Sequence, residues 1–451
     1  NRLIMTAGDD FTMKDDGAIK AGSADITTGD TYLYNDADID IRGIFNITAR
    51  DMIMNDSSDI DANIVNILTG RDFLMYDSSD IGDDGDNFST YINAGGNVRV
   101  SNSSIYTDFA TVYAGNDISL GKIFATFHID LSAGGDILDN NLWDMNLTTD
   151  NLYMKAGGTI GELGAAIETD VNDIWATANN GDVRLDERDG VNLWDIQALG
   201  STIDIVTGGD TNAYLMYASG SGLWDPAIVN LTVNHGELNV LGKGIKAERS
   251  GEGLALVNLI ADGDIDVHSQ ISTETGSGRF SASKIDLKSR WDDINIDDAD
   301  VQALVYGNGH AEVSLDAKDD VDIIHGSSVI ARTGYGSDTA LVNIHADDDI
   351  NIENHSAVQA LVDHDGNASI NMDAKDNILV SKSEVESRVG GWGDATNNLH
   401  AKNIIITKGG EVEAKAHRGE AENNLGAKNI IVTKGGEVSA KSIHGDAENN
   451  L

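Results

Sequence analysis

Aspartates stand in clusters along this sequence: Asp9-Asp10, Asp292-Asp293, Asp319-Asp320 and Asp347-Asp348-Asp349. Two carboxyls held a short distance apart could act as acid and base on a glycosidic bond. Stacked one above another, the same groups could instead supply the several oxygen ligands that a hard cation such as calcium requires. Position decides between these readings. The clusters recur at the same place in successive segments, whereas an active site is built once, so turn geometry explains them more simply than catalysis does. The chain is therefore expected to be no enzyme and to need no cofactor. Asp292, Asp293, Asp319, Asp320, Asp347, Asp348 and Asp349 remain candidates for a calcium ladder. The glycine-rich Gly-Gly-x-Gly-x-Asp nonapeptide of known calcium-binding repeats is absent, which leaves a solvated acidic face as the alternative.

The other reactive side chains are dispersed. Eleven histidines show no metal-ligand spacing, and His325, His345, His355 and His400 read as turn or outward strand positions. There is no His-Glu-x-x-His, no phosphate-cradling loop ending in Lys and no Gly-x-Ser-x-Gly elbow. Trp143, Trp175, Trp194 and Trp224 fall in the middle third, beside the single proline, Pro226. They are expected to cap a wider part of the core, with a glycan-binding groove as the other possibility. Asn46, Asn87, Asn146, Asn230 and Asn367 begin Asn-x-Ser/Thr triplets, which accept glycans only in a host with that machinery.

Composition narrows the class. The 451 residues carry 75 acids against 30 bases, a net charge of −45, with 49 glycines and no cysteine. That surface repels nucleic-acid phosphates and anionic lipid, so neither is expected as a partner. Disulfides and thiolate metal sites are excluded. No run approaches the roughly 18 consecutive apolar residues of a membrane helix, so no membrane insertion is expected of this segment. The chain opens at Asn1 inside what already reads as repeat and stops at Asn449-Asn450-Leu451, the opening of another. It therefore reads as cut at both ends.

What must position these side chains is a repeat. Asn397 to Val412 returns as Asn423 to Val438, a period of 26 residues. Upstream the period loosens but persists. Val342, Ile344 and Ala346 alternate, then Ile350 and Ile352, then Val358, Ala360 and Val362. The preceding repeat offers Val313, Leu315, Ala317, Val321, Ile323, Val329 and Ala331 for the same slots, and the following one Ile370, Met372, Ala374, Ile378, Val380 and Val385. Period two places alternate residues on one face. Strands this short need neighbours, and stacking each on its equivalent one repeat later gives three parallel sheets around a narrow apolar core. The expected fold is an all-β parallel β-helix of about sixteen coils, each of three short strands. Residues 1–160 form shorter coils, 161–260 less regular Trp-containing ones, and 261–451 coils of 26 to 29 residues, all in one continuous solenoid.

A punctuation mark recurs: Ala133-Gly134-Gly135-Asp136-Ile137, Ala114-Gly115-Asn116-Asp117-Ile118, Ala94-Gly95-Gly96-Asn97-Val98 and Ala156-Gly157-Gly158-Thr159-Ile160. Degenerate forms run from Ala7 to Phe11, Ala261 to Ile265 and Ala374 to Ile378. The Gly, Asn or Asp pair fits a tight turn that needs positive φ, after which the apolar residue re-enters the core. In this mark the chain resembles the repeats of filamentous-haemagglutinin-type exoproteins, large adhesins of two-partner secretion. The resemblance covers most of the chain. It implies a right-handed helical shaft, an extracellular or cell-surface location, and a role in adhesion, cell contact or matrix formation. Other cells, surface glycans or copies of the chain itself would be the partners. The amino-terminal secretion domain of that family is not recognisable here. A self-assembling filament subunit and a polysaccharide-degrading β-helix enzyme stand as alternatives.

Overall fold

A computed structural model describes residues 1–82, 87–141, 144–220, 225–276, 278, 281–335 and 338–451. Among them there is no helix, hence none long and apolar enough to cross a membrane. The strands pair in parallel, each with its equivalent one coil on, so the chain is a parallel β-helix. It divides into two compact units, Asn1–Val191 with Asp195–Ala198, and Asn192–Trp194 with Leu199–Leu451.

In the first unit one column of stacked residues runs Phe11, Thr31, Met52, Phe73, Val98, Ile118, Ile137, Ile160 and Val183. Each is the first or second residue of the short strand, or forms the single bridge, that follows the turn mark. In the second unit the equivalent column is Thr211, Leu238, Ile265, Ile294, Val321, Ile350, Ile378, Ile404 and Ile430. The two columns are close to the sixteen or so coils expected. The surplus lies where buried Thr31 and Thr211 replace the apolar residue of the mark. Hydrogen bonds between equivalent positions of successive coils span 19 to 25 residues in the first unit and 26 to 29 in the second.

Alternation holds throughout. Val321, Ile323, Ile350, Ile352, Ile378 and Val380 have no exposed surface and stack on one another in adjacent coils, as their period-two spacing requires. Every strand is short, from two to thirteen residues. Parallel pairing to coils on both sides is what gives it hydrogen-bond partners.

The turn mark works differently from the expectation. Gly95, Gly115, Gly134 and Gly157 do not have positive φ. They stack in one column, and a Cβ at Gly134 would strike the carbonyl oxygen of Gly115, as one at Gly157 would strike that of Gly134. Glycine is there because successive backbones approach too closely for a side chain. Positive φ falls on the following corner, at Asp15-Asp16, Asn35-Asp36, Asp56-Ser57 and Asp77-Ser78, with values of 52° to 62°. Asp and Asn tolerate the left-handed region better than most residues. The corners also stack: the Asp36 N–H donates to the Asp56 carbonyl at 3.0 Å and the Ser57 N–H to that of Asp77 at 3.0 Å.

Candidate functional site

The acid of the turn mark has one job, repeated coil after coil. In the first unit the Asp72 carboxylate accepts the Asn97 backbone N–H at 2.7 Å, and the Asn97 side-chain oxygen accepts that of Asp117 at 3.3 Å. Asp117 accepts the N–H of Asp136 at 2.9 Å, and Asp136 that of Thr159 at 2.7 Å. The second unit continues the device. Asp264 accepts from Asp293 at 3.0 Å, Asp293 from Asp320 at 2.8 Å, Asp320 from Asp349 at 2.8 Å, and Asp349 from Asn377 at 2.8 Å. A coil corner leaves a backbone donor outside the β-ladder, and a buried donor must be paired. The repeated acid supplies the acceptor, so the clustering seen in the sequence reflects coil-to-coil hydrogen bonding.

The seven residues considered for calcium separate into three groups. Asp293, Asp320 and Asp349 belong to this ladder. Asp292 lies beside Asp264 and Asp293, and Asp319 and Asp348 lie beside Asp320; in each trio, oxygens come within 4.8 Å of one another. Asp347 stands apart. It is ion-paired with Lys318 and, at 2.7 Å, with Lys375, and these ammonium groups hold its carboxyl well below the usual carboxylate range. The trios carry the opposite load. Loss of solvent, reinforced by neighbouring carboxylates, raises Asp292 and Asp348 above the ordinary Asp value. Desolvation also raises Asp293 and Asp320, against the pull of the N–H groups they accept. Oxygens at such separations could hold a hard cation.

Towards the carboxyl end the ladder changes chemistry. Asn377 Nδ2 donates to Asp349 at 2.8 Å, Asn403 Nδ2 to Asn377 at 2.8 Å and Asn429 Nδ2 to Asn403 at 2.8 Å. A second asparagine ladder is internal: Asn397 and Asn423 are wholly buried, and Asn397 Nδ2 donates both to Asn423 Oδ1 and to the Glu413 carbonyl, each at 2.8 Å. The sequence displays these asparagines in its clearest repeat, and their place on the inward phase of the alternation was the signal that they are buried.

Glu187 was missed. It is buried at the end of the strand Val183–Glu187, and burial pushes its carboxyl up to about 8. Its oxygens accept from Thr169 Oγ1 at 2.7 Å and from the N–H groups of Val171 at 3.2 Å and Arg188 at 3.0 Å. Asp170 and Asp189 lie beside it. Glu187 pairs in register with Thr169 on an inward position, so the alternation alone could have flagged it.

The candidate histidines and the described tryptophans occupy outer surfaces. His325 and His355 have positive φ in turns. His345 and His400 are outward strand positions flanking Asp373, with His400 Nδ1 3.0 Å from its carboxylate. Trp175 stacks on Tyr153 with ring centroids 4.3 Å apart, and Trp194 on Tyr214 at 4.1 Å. Both tryptophans cover the outer face of a sheet and do not cap the core as expected, because alternation turns their positions outward. Trp143 and Trp224 lie outside the described residues. Asn87 and Asn146 are buried, which removes them as glycan acceptors. No protein family, curated protein or solved structure matches the chain.

Proposed function

We propose that this chain is a structural and adhesive shaft segment of a large secreted or cell-surface fibre of the filamentous-haemagglutinin type, acting in cell contact or extracellular matrix formation. One observation carries the reading. The acids of the turn mark, dense enough to invite acid–base chemistry, are spent on holding consecutive coils together. Asp264, Asp293, Asp320 and Asp349 each accept a backbone N–H from the next coil. An acid bound to the same backbone donor in coil after coil has a constructional role that extends with the stack. Surface glycans, other cells or further copies of the chain would meet its outer faces, and calcium would be an accessory bound beside Asp292 or Asp319.

The test immobilises the purified chain on beads and measures attachment to cells and to matrix polysaccharide, alongside release of reducing ends from acidic and neutral polysaccharides. Attachment without release supports the shaft. Release that disappears in the D292N/D293N or D319N/D320N variant would replace it with the enzyme reading.

A further inference from the structure

In the first unit the corner before the strand Lys122–Ala133 is shorter than the one before it. Two residues, Asn102 and Ser103, separate the strand Val98–Ser101 from Ser104–Ala114, whereas Gly121 alone separates Ile118–Leu120 from Lys122–Ala133. The short corner draws Gly121 tight against the preceding coil, where a Cβ would lie 2.9 Å from the Ser103 carbonyl oxygen. An indentation of about 410 Å³ results, lined among others by Ser101, Asn102, Ser104, Lys122, Asn141 and Asp144. That volume lies in the range of small-molecule sites.

Its lining is polar, with the acids Asp80 and Asp144 against the single base Lys122. Lys122 and Asp144 neutralise each other at 3.2 Å. The side chains of Asn102 and Ser104 make no hydrogen bond among the described residues, and Asn141 Oδ1 is a buried acceptor without a partner among them. Ser104 pairs in register with Lys122, and two residues on Tyr106 pairs with Phe124. Alternation puts all four on one outward face, so an aromatic platform begins roughly 7 Å from the cleft. Tyr106 is 38% and Phe124 46% exposed, with ring centroids 6.4 Å apart.

Amide, hydroxyl and carboxylate groups beside exposed rings match a sugar, which offers hydroxyls at its edge and C–H groups on its face. With Lys122 paired to Asp144 and Asp80 adding an acid, the cleft disfavours an anion. We propose that this cleft and platform bind a neutral oligosaccharide, one sugar hydrogen-bonded in the cleft and the next lying on Tyr106 or Phe124. The proposal rests on the adhesive reading and gives it a ligand class.

An array of neutral hexose and N-acetylhexosamine oligosaccharides, with acidic glycans as a second arm, tests it on the whole chain. Binding to a neutral oligosaccharide is expected, weakened by about tenfold or more in Y106A/F124A. N102G, which keeps the left-handed corner and removes the amide, should weaken it too. Both variants change exposed groups, and unchanged melting temperatures would confirm intact folding. No neutral ligand, binding of acidic glycans only, or binding indifferent to both variants would overturn the site. Bead attachment surviving any of these leaves the shaft reading standing, whereas polysaccharide turnover would remove the shaft and leave the site.

Discussion

Two stretches of the second unit place a side-chain oxygen beside the same backbone position in every coil, one with aspartate and one with asparagine. From Asp264 to Asp349 the ladder is aspartate on aspartate. From Asn377 to Asn429 it is asparagine on asparagine. The apolar column behind both is continuous, from Ile294 through Ile350 to Ile404. The carboxylate accepts an N–H strongly but repeats its charge every coil, roughly 5 Å on, inside the Debye length of about 8 Å at physiological salt. The amide accepts more weakly, yet its own N–H₂ donates to the oxygen one coil back, so the row is self-complementary. Where aspartate is kept, cations stand nearby: Arg290 on Asp262, and Lys318 and Lys375 on Asp347. The acidic stretch is therefore loaded with repulsion that neighbouring side chains only partly relieve.

The largest expected effect leaves the ladders alone and strikes the column they share. Ile350→Asp in the acidic stretch and Ile404→Asp in the amide stretch each bury a charge among apolar side chains, at a cost of at least about 5 kcal/mol. Several coils should unfold together, because each coil is stabilised by its neighbours. Thermal melts that differ sharply between the two variants would mean that the stretches do not share a core.

Glu187 offers the next effect, as a solitary buried acid to set against acids in a row. Its folded value of about 8 lies above the ordinary 4.5. The stability it contributes is therefore fully present below 4.5 and is lost as pH rises towards 8, a loss of a few kcal/mol. Glu187→Gln should abolish that part of the pH dependence between 4.5 and 8, and the variant should melt above the parent chain at pH 9. Parallel melting curves across this window would show that Glu187 titrates like a solvated acid. The raised acids Asp292, Asp293, Asp320 and Asp348 have the same sign, with stability present below the ordinary Asp value and lost as pH rises through their raised ones. Asp347 has the opposite sign, its ion pairs being lost only as pH falls through its depressed value.

A smaller effect concerns cations. A divalent ion held by the trios around Asp292 and Asp319 would relieve the repulsion directly, and at ten times its dissociation constant would add about 1.4 kcal/mol. Melting should rise more in millimolar calcium than in sodium chloride of equal ionic strength, and this difference should shrink when Asp292 and Asp319 are both changed to Asn. Equal melting points in the two salts would leave only general screening at these oxygens.

Much of this architecture is legible in the residues themselves. Period-two slots such as Val313, Val342 and Ile370 identify strands, and their return every coil identifies the stack. The recurrence of acids at one corner points away from a single active site. Three features depend on facts that lie between coils. The glycines of the mark serve close backbone approach and not positive φ, because the neighbouring chain that excludes a Cβ is some 20 residues distant in sequence. Asp347 looks like its neighbours Asp348 and Asp349 until Lys318 and Lys375 are brought in from adjacent coils. The cleft at Gly121 arises from a one-residue difference between successive corners, which is visible only once the register is known.

The most direct measurement compares Asp320→Asn with Asp320→Ala in thermal melts at neutral pH. Asp320 accepts the Asp349 N–H at 2.8 Å and lies between Asp293 and Asp349. If the repeated acid is there to accept a backbone N–H, the amide can replace it, as Asn97 already does for the Asp117 N–H in the first unit. Asp320→Asn should then match or exceed the parent chain in stability, since it keeps the acceptor and removes a charge from the row. Asp320→Ala should lose about 1 kcal/mol or more by leaving the donor unsatisfied. An alanine variant as stable as the parent, or an asparagine variant as damaged as the alanine one, would contradict the claim that these acids hold the coils together.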